Sequence, residues 1–229
     1  MTWLFGADAM SALQSAPALL PAVVWLPVLL QVGWALVSAA AVLLLCRLGG
    51  PRRFALPLAL SMGFWCVVPG PWGASYWLGL AFQTPSVMAQ LLALRYLWSH
   101  WPDQAVRSAA WLGSLPADRL RTDRFVAAGL VLGWCLLLDT FGYLPVALYG
   151  WGFHPVTAAL LLLLALLPWV ANAQLTALRG APAAMLGVLA VFGVMRWPTG
   201  NVWDAVLDPW LFVGLHFYLV ARYRANRRA

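Results

Sequence analysis

The chain has 229 residues, of which 63% are hydrophobic and only 9% charged. A soluble domain carries roughly 25% charged residues, so this chain lacks the polar surface to stay dissolved and reads as an all-α integral membrane protein. Its basic residues are all arginine and its acidic residues all aspartate, which excludes a retinal or pyridoxal Schiff base, a Walker lysine and a lysine general base.

The first sixteen residues have no basic n-region and no early apolar core with a small-residue cleavage site, so the first span is expected to insert directly. A crossing needs about 20 mostly apolar residues, since hydrocarbon is about 30 Å thick and each helical residue rises 1.5 Å. Seven segments qualify or come close: 21–46, 54–69, 74–97, 125–147, 155–174, 182–195 and 205–222. The second and sixth are short and carry proline or glycine near their ends, which suits a tilted span or a re-entrant half-helix.

Arginine placement orients this seven-transmembrane bundle. With the N-terminus outside and the C-terminus cytoplasmic, thirteen arginines flank the spans on the cytoplasmic side and only Arg196 lies outside. Removing either short segment reverses every later cluster. Tryptophan supports the frame: Trp25, Trp72, Trp151 and Trp210 fall near the outer boundary, Trp98 and Trp101 near the inner one.

The connections are short except the cytoplasmic loop 98–124, so the whole chain, 1–229, is a single membrane domain. Within that loop, 103–112 has the spacing of a helix lying on the inner surface, or of a solvated connector. The formal charge of +7 gathers on this face and fits anionic lipid. Nucleic-acid binding is not expected, for there is no basic soluble surface with stacking aromatics. The lack of lysine, with heavy use of arginine, alanine and leucine, points to a GC-rich bacterial genome and an inner-membrane location. Cys46, Cys66 and Cys135 sit in separate apolar spans and read as packing residues.

Ionisable groups inside spans need a reason, because insertion costs about 2.5 to 3.5 kcal/mol at a helix centre. Asp139 in the fourth span and His216 in the seventh both fall about 9 to 10 Å below the outer edge on straight-helix arithmetic. Gln31 and Gln83 fall about 14 to 15 Å below it, with Gln90 two turns deeper on the same face as Gln83. These groups form a candidate ligand or proton site; interhelical hydrogen bonding is the simpler account of them.

The stretch from Arg196 to Pro209 holds Asp204 and Asp208, four residues apart, near an arginine, an arrangement that suits acid–base work or cation binding. Capping explains it more cheaply: Asn201 is an N-cap with Asp204 at the third helical position, and Asp208 before Pro209 is another. Arg196 is then expected to neutralise one of the acids. His154 stands alone before Pro155. No HExxH, CxxC or close histidine pair is present, so neither a metal nor another cofactor is implied.

Three functions follow. The first is a non-catalytic subunit or accessory factor of a larger membrane complex, with a protein partner in the membrane. The second is a small transporter or proton-coupled conductor using Asp139, His216, Gln31 and Gln83. The third is an enzyme on a lipid-linked substrate at the outer face, using Asp204, Asp208, His154 and Arg196.

Overall fold

The computed structural model describes residues 23–49, 52–100, 116–172 and 180–227. The expected surface helix at 103–112 and the N-terminal segment before residue 23 lie outside them. Among the described residues the protein is all-helical. Ten α-helices follow in order: α1 (Leu26–Leu48), α2 (Ala55–Val67), α3 (Ala74–Phe82), α4 (Val87–Ser99), α5 (Pro116–Thr140), α6 (Leu148–Trp151), α7 (Pro155–Asn172), α8 (Ala181–Met195), α9 (Val202–Val206) and α10 (Pro209–Asn226).

Helix α1 alone is both long and apolar enough to cross a membrane by length and composition among the described residues; α2 and α8 are shorter apolar helices. At 13 and 15 residues they are about 20 and 22 Å long, short of a 30 Å hydrocarbon layer.

Several expected boundaries move. The segment 74–97 is not one helix: α3 stops at Phe82, Gln83 takes a φ of +59°, and α4 restarts at Val87. Pro85 supplies no backbone N–H and disfavours helical geometry at Thr84, while Ser86 caps the new helix by accepting from Ala89 N–H at 3.1 Å. Gln83 and Gln90 therefore do not share one continuous helical face. The loop expected at 98–124 is already helical from Pro116, which suits the first helical position. The fourth segment ends at Thr140 rather than 147. Gly142, at φ +72°, supports a Schellman turn in which Tyr143 N–H donates to Leu138 O and Gly142 N–H to Asp139 O, both at 2.9 Å. The last segment, expected from 205, splits into α9 and α10 because Leu207 is extended and Asp208 and Pro209 start a new helix.

Packed helices run both parallel and antiparallel. α1 and α2 pack antiparallel, with Ala39 near Gly63 and Leu43 and Cys46 clustered with Ala55 and Ala59. α3 and α4 both run parallel to α1: Leu30 lies over Gly79, Gly33 over Gln90, and Val42 joins Tyr96. α4 meets α8 antiparallel through Leu91 and Gly187 and through Val87, Val188 and Phe192. α5 and α10 are antiparallel: Leu215 lies over Gly129 and Phe212 over Gly133, while Tyr218 and Arg222 both reach Asp123.

Small side chains fill much of the interior and large apolar ones point outward. Ala39, Ala40, Ala55, Ala59, Ala93 and Ala165 are buried, while Phe64, Val194 and Phe217 are each more than 70% exposed. Close approach through small residues is how helices associate where lipid, not water, is the solvent. A soluble protein seldom leaves so much large apolar surface open. The largest core cluster joins the start of α4, the second half of α8 and all of α9 around Val188, Phe192 and Val202.

Candidate functional site

Two polar clusters sit within this frame. The first is the break between α3 and α4. Interrupting a helix frees backbone groups, and each that is buried needs a partner. Trp34 Nε1 on α1 donates to Gln83 O at 2.8 Å, and Gln90 Nε2 donates to Pro85 O at 2.9 Å. Ser86 N–H donates to Asp208 Oδ2 at 2.7 Å. The other oxygen of Asp208 accepts from Leu211 N–H, also at 2.7 Å, and so caps α10. One buried carboxylate thus joins the starts of two helices 122 residues apart in sequence. Phe82 and Trp210, in edge contact at 4.8 Å between centroids, pack beside it.

The second cluster ties together the loops that follow α5 and α8. Asp139, in the last turn of α5, accepts from Tyr149 N–H at 2.7 Å. The Tyr149 hydroxyl donates to Asp204 Oδ2 at 2.8 Å, and the Thr199 hydroxyl donates to the same oxygen. Asn201, fully buried, caps α9 by accepting from Trp203 N–H at 2.9 Å and donates from Nδ2 to Tyr149 O at 3.0 Å. Trp203 Nε1 donates to Leu148 O, and Val202 N–H to Gly152 O. Gly152 is required by close approach: a Cβ there would stand 1.8 Å from Asn201 Oδ1. Burial, then the hydrogen bond and negative charge of Asp204, push the Tyr149 phenol up to about 12.

The residues expected to share one layer are distributed as follows. Asp139 faces Tyr149. His216 Nδ1 lies 2.9 Å from its own helix's Phe212 O, and the ring meets the edges of Phe212 and Trp134. Trp134 precedes Asp139 by five residues, about 7 Å along α5, and no hydrogen bond joins Asp139 to His216 among the described residues. Gln31 is partly buried on α1 and the Gln83 side chain is exposed. His154 is exposed in the turn before α7.

Asn201 and Asp208 cap the helices as their positions in sequence imply. Arg196 does not neutralise either aspartate. It ends α8 in the left-handed conformation, with its guanidinium over the Phe192 ring at 5.2 Å and no carboxylate partner among the described residues. Asp204 instead accepts from two hydroxyls and Asp208 from two amides.

Against family models, curated proteins and solved structures alike, the chain shows no match. Its chemistry is therefore read from its own residues. Among the described residues no three His, Cys or Asp side chains gather as a metal site. The described residues also border cavities. One, of about 500 Å³, is bordered by Arg47 at the end of α1, His100 after α4, and Leu43, Ala55 and Leu56. Another, of about 390 Å³, lies between α7 and α8 with Arg196 at one end.

Sequence reasoning missed the tie between Asp208 and Ser86 and the part played by Tyr149. The first carried a local signal, Thr84-Pro85-Ser86 inside an apolar segment, which has the composition of a helix stop followed by an N-cap. Tyr149 carried none, since Asp204 and Asn201 lie 55 and 52 residues away in sequence.

Proposed function

We propose that the protein is a multi-pass inner-membrane protein with seven crossings, N-terminus outside and C-terminus cytoplasmic, and that it serves as a non-catalytic subunit or accessory factor of a larger membrane complex. The outward distribution of large apolar side chains, the antiparallel packing of α1 with α2, α4 with α8 and α5 with α10, and the thirteen-to-one arginine asymmetry support the seven crossings. In this reading α3 and α4 together make one crossing, interrupted where protein rather than lipid surrounds the backbone.

The observation that carries the subunit reading is how the acids are engaged. Asp208 fastens two helix starts, while Asp139 and Asp204 fasten one loop to another. Acids bonded in this way serve folding, and the broad aromatic and aliphatic exterior is left for lateral contacts with lipid and a protein partner. The Arg47 guanidinium at the border of the first cavity suits anionic lipid at the cytoplasmic face. Extraction from native membranes in mild detergent, followed by native mass measurement, tests this: a partner at fixed stoichiometry is expected. Recovery of the protein always alone overturns the reading.

The interrupted crossing favours a second reading, a small transporter or proton-coupled conductor with Asp139, His216, Gln31 and Gln83 along its path. Broken helices near mid-membrane are where transporters place substrate and ion sites. Asp139→Asn protein that inserts normally yet loses flux in vesicles supports it; unchanged flux removes it.

A further inference from the structure

The groove between α7 and α8 has two features that the subunit reading does not use. Its walls are apolar and lined by small residues that leave the space between them unfilled: Ala158 and Ala159 on α7, Ala190 and Gly193 on α8. A Cβ built on Gly193 meets no atom within 4 Å, so the space beside it is open. At the loop end of the groove stands Arg196, a cation with no carboxylate partner among the described residues.

Both features match one ligand chemistry. A hydrocarbon chain fits a slot of about 390 Å³ whose lining is entirely apolar apart from Arg196. The planar guanidinium at its mouth is the side chain best suited to hold a phosphate with two parallel hydrogen bonds. Among the described residues Arg196 makes no ion pair with Asp139, Asp204 or Asp208, each of which accepts from amide or hydroxyl donors instead. We propose that the α7–α8 groove is a binding site for an anionic phospholipid, with one acyl chain between the helices and the headgroup phosphate on Arg196. The proposal rests on the reading that α7 and α8 cross the membrane. It adds a specific lipid at the end of the bundle opposite the main arginine face.

Photolabelling can test the site without interference from the many arginines elsewhere. The full-length protein is reconstituted in phosphatidylcholine vesicles carrying a trace of phosphatidylglycerol with a photoreactive acyl chain, or of the matching phosphatidylcholine probe. Labelled peptides are then mapped by mass spectrometry. The phosphatidylglycerol probe is expected to label the peptides of α7 and α8 about fivefold more than the phosphatidylcholine probe, because both headgroups carry the phosphate but only choline brings a second cation beside Arg196. Arg196→Gln should remove that preference there while leaving labelling near Arg47 unchanged. Gly193→Leu, whose added side chain enters open space, should suppress both probes at the groove.

Equal labelling by the two probes, or a preference that survives Arg196→Gln, overturns the proposal. So does displacement by soluble glycerol 3-phosphate, which makes free phosphate the ligand. A dimer that Gly193→Leu dissociates makes a second copy the occupant and also overturns it. Wild-type protein stripped from the vesicles by alkaline carbonate refutes the membrane reading itself; failure at the groove with retained insertion refutes only the lipid site.

Discussion

Gly152→Ala isolates the loop latch. Gly152 has helical backbone angles, φ −63° and ψ −18°, so alanine meets no conformational penalty there. Taken alone, the change should stabilise by about 0.4 to 1 kcal/mol through the unfolded chain. The structure predicts the opposite sign. The new Cβ would lie 1.8 Å from Asn201 Oδ1 and 2.5 Å from Trp203 Cδ1, and Asn201 is fully buried with both ends of its amide engaged. Relief of the overlap expels the Asn201 side chain and separates Val202 N–H from Gly152 O. Three hydrogen bonds at about 1 kcal/mol each, less the gain through the unfolded chain, give a net loss of about 2 to 2.6 kcal/mol. For a chain of this size that corresponds to a fall in melting temperature of about 4 to 10 °C. The assay is thermal unfolding in mild detergent followed by circular dichroism, carried out also for Asn201→Gly and the double variant. With the Asn201 side chain gone, Gly152→Ala should cost no more than about 0.6 kcal/mol, a coupling near 2 kcal/mol. Additive effects within about 0.5 kcal/mol, or a rise in melting temperature for the single variant, would refute the reasoning.

Asp208→Asn keeps the size of the side chain but turns an amide N–H₂ toward one of two backbone donors, so the same unfolding assay should show a loss of about 1.5 to 3 kcal/mol. Unchanged stability would mean that the carboxylate does not join the two helix starts. The Tyr149 phenol stays neutral to about pH 12, whereas in the unfolded chain it ionises near 10. The latch bond to Asp204 is therefore fully present below pH 10 and is lost as pH rises through the folded value. Phenolate absorbance near 295 nm should contain a late component that Tyr149→Phe removes and Asp204→Asn moves to lower pH. Gln83 occupies a backbone region that favours glycine, at φ +59° and ψ −144°, so Gln83→Gly should raise stability by about 1 kcal/mol and Gln83→Val should lower it. A destabilised glycine variant would show that the Gln83 side chain contributes more than its backbone costs.

Helix existence was legible because a long apolar run needs no partner to be recognised, and Leu26–Leu48 falls within about five residues of its expected limits at the start and two at the end. The caps at Asn201 and Asp208 were legible for a related reason: each bonds an amide two or three residues ahead. The break at Gln83 was not, since hydropathy averaged over a whole crossing absorbs four residues, even when Thr84-Pro85-Ser86 carries the signature of a stop and a restart. The candidate layer failed to foresee the partner of Asp139 because depth along a straight helix takes no account of the turn at Gly142. Beyond that turn the chain comes back and offers Tyr149 N–H. The ties from Asp208 to Ser86 and from Tyr149 to Asp204 span 122 and 55 residues, and no local pattern encodes them.

The bond between Ser86 and Asp208 also sets an order of assembly. Until Asp208 is synthesised, the amide of Ser86 lacks its carboxylate acceptor. A chain cut short before Asp208 therefore carries an open seam at the start of α4. Helix α10 thus acts as a keystone: it is made long after α4, and the arch beneath it is closed only once it is in place.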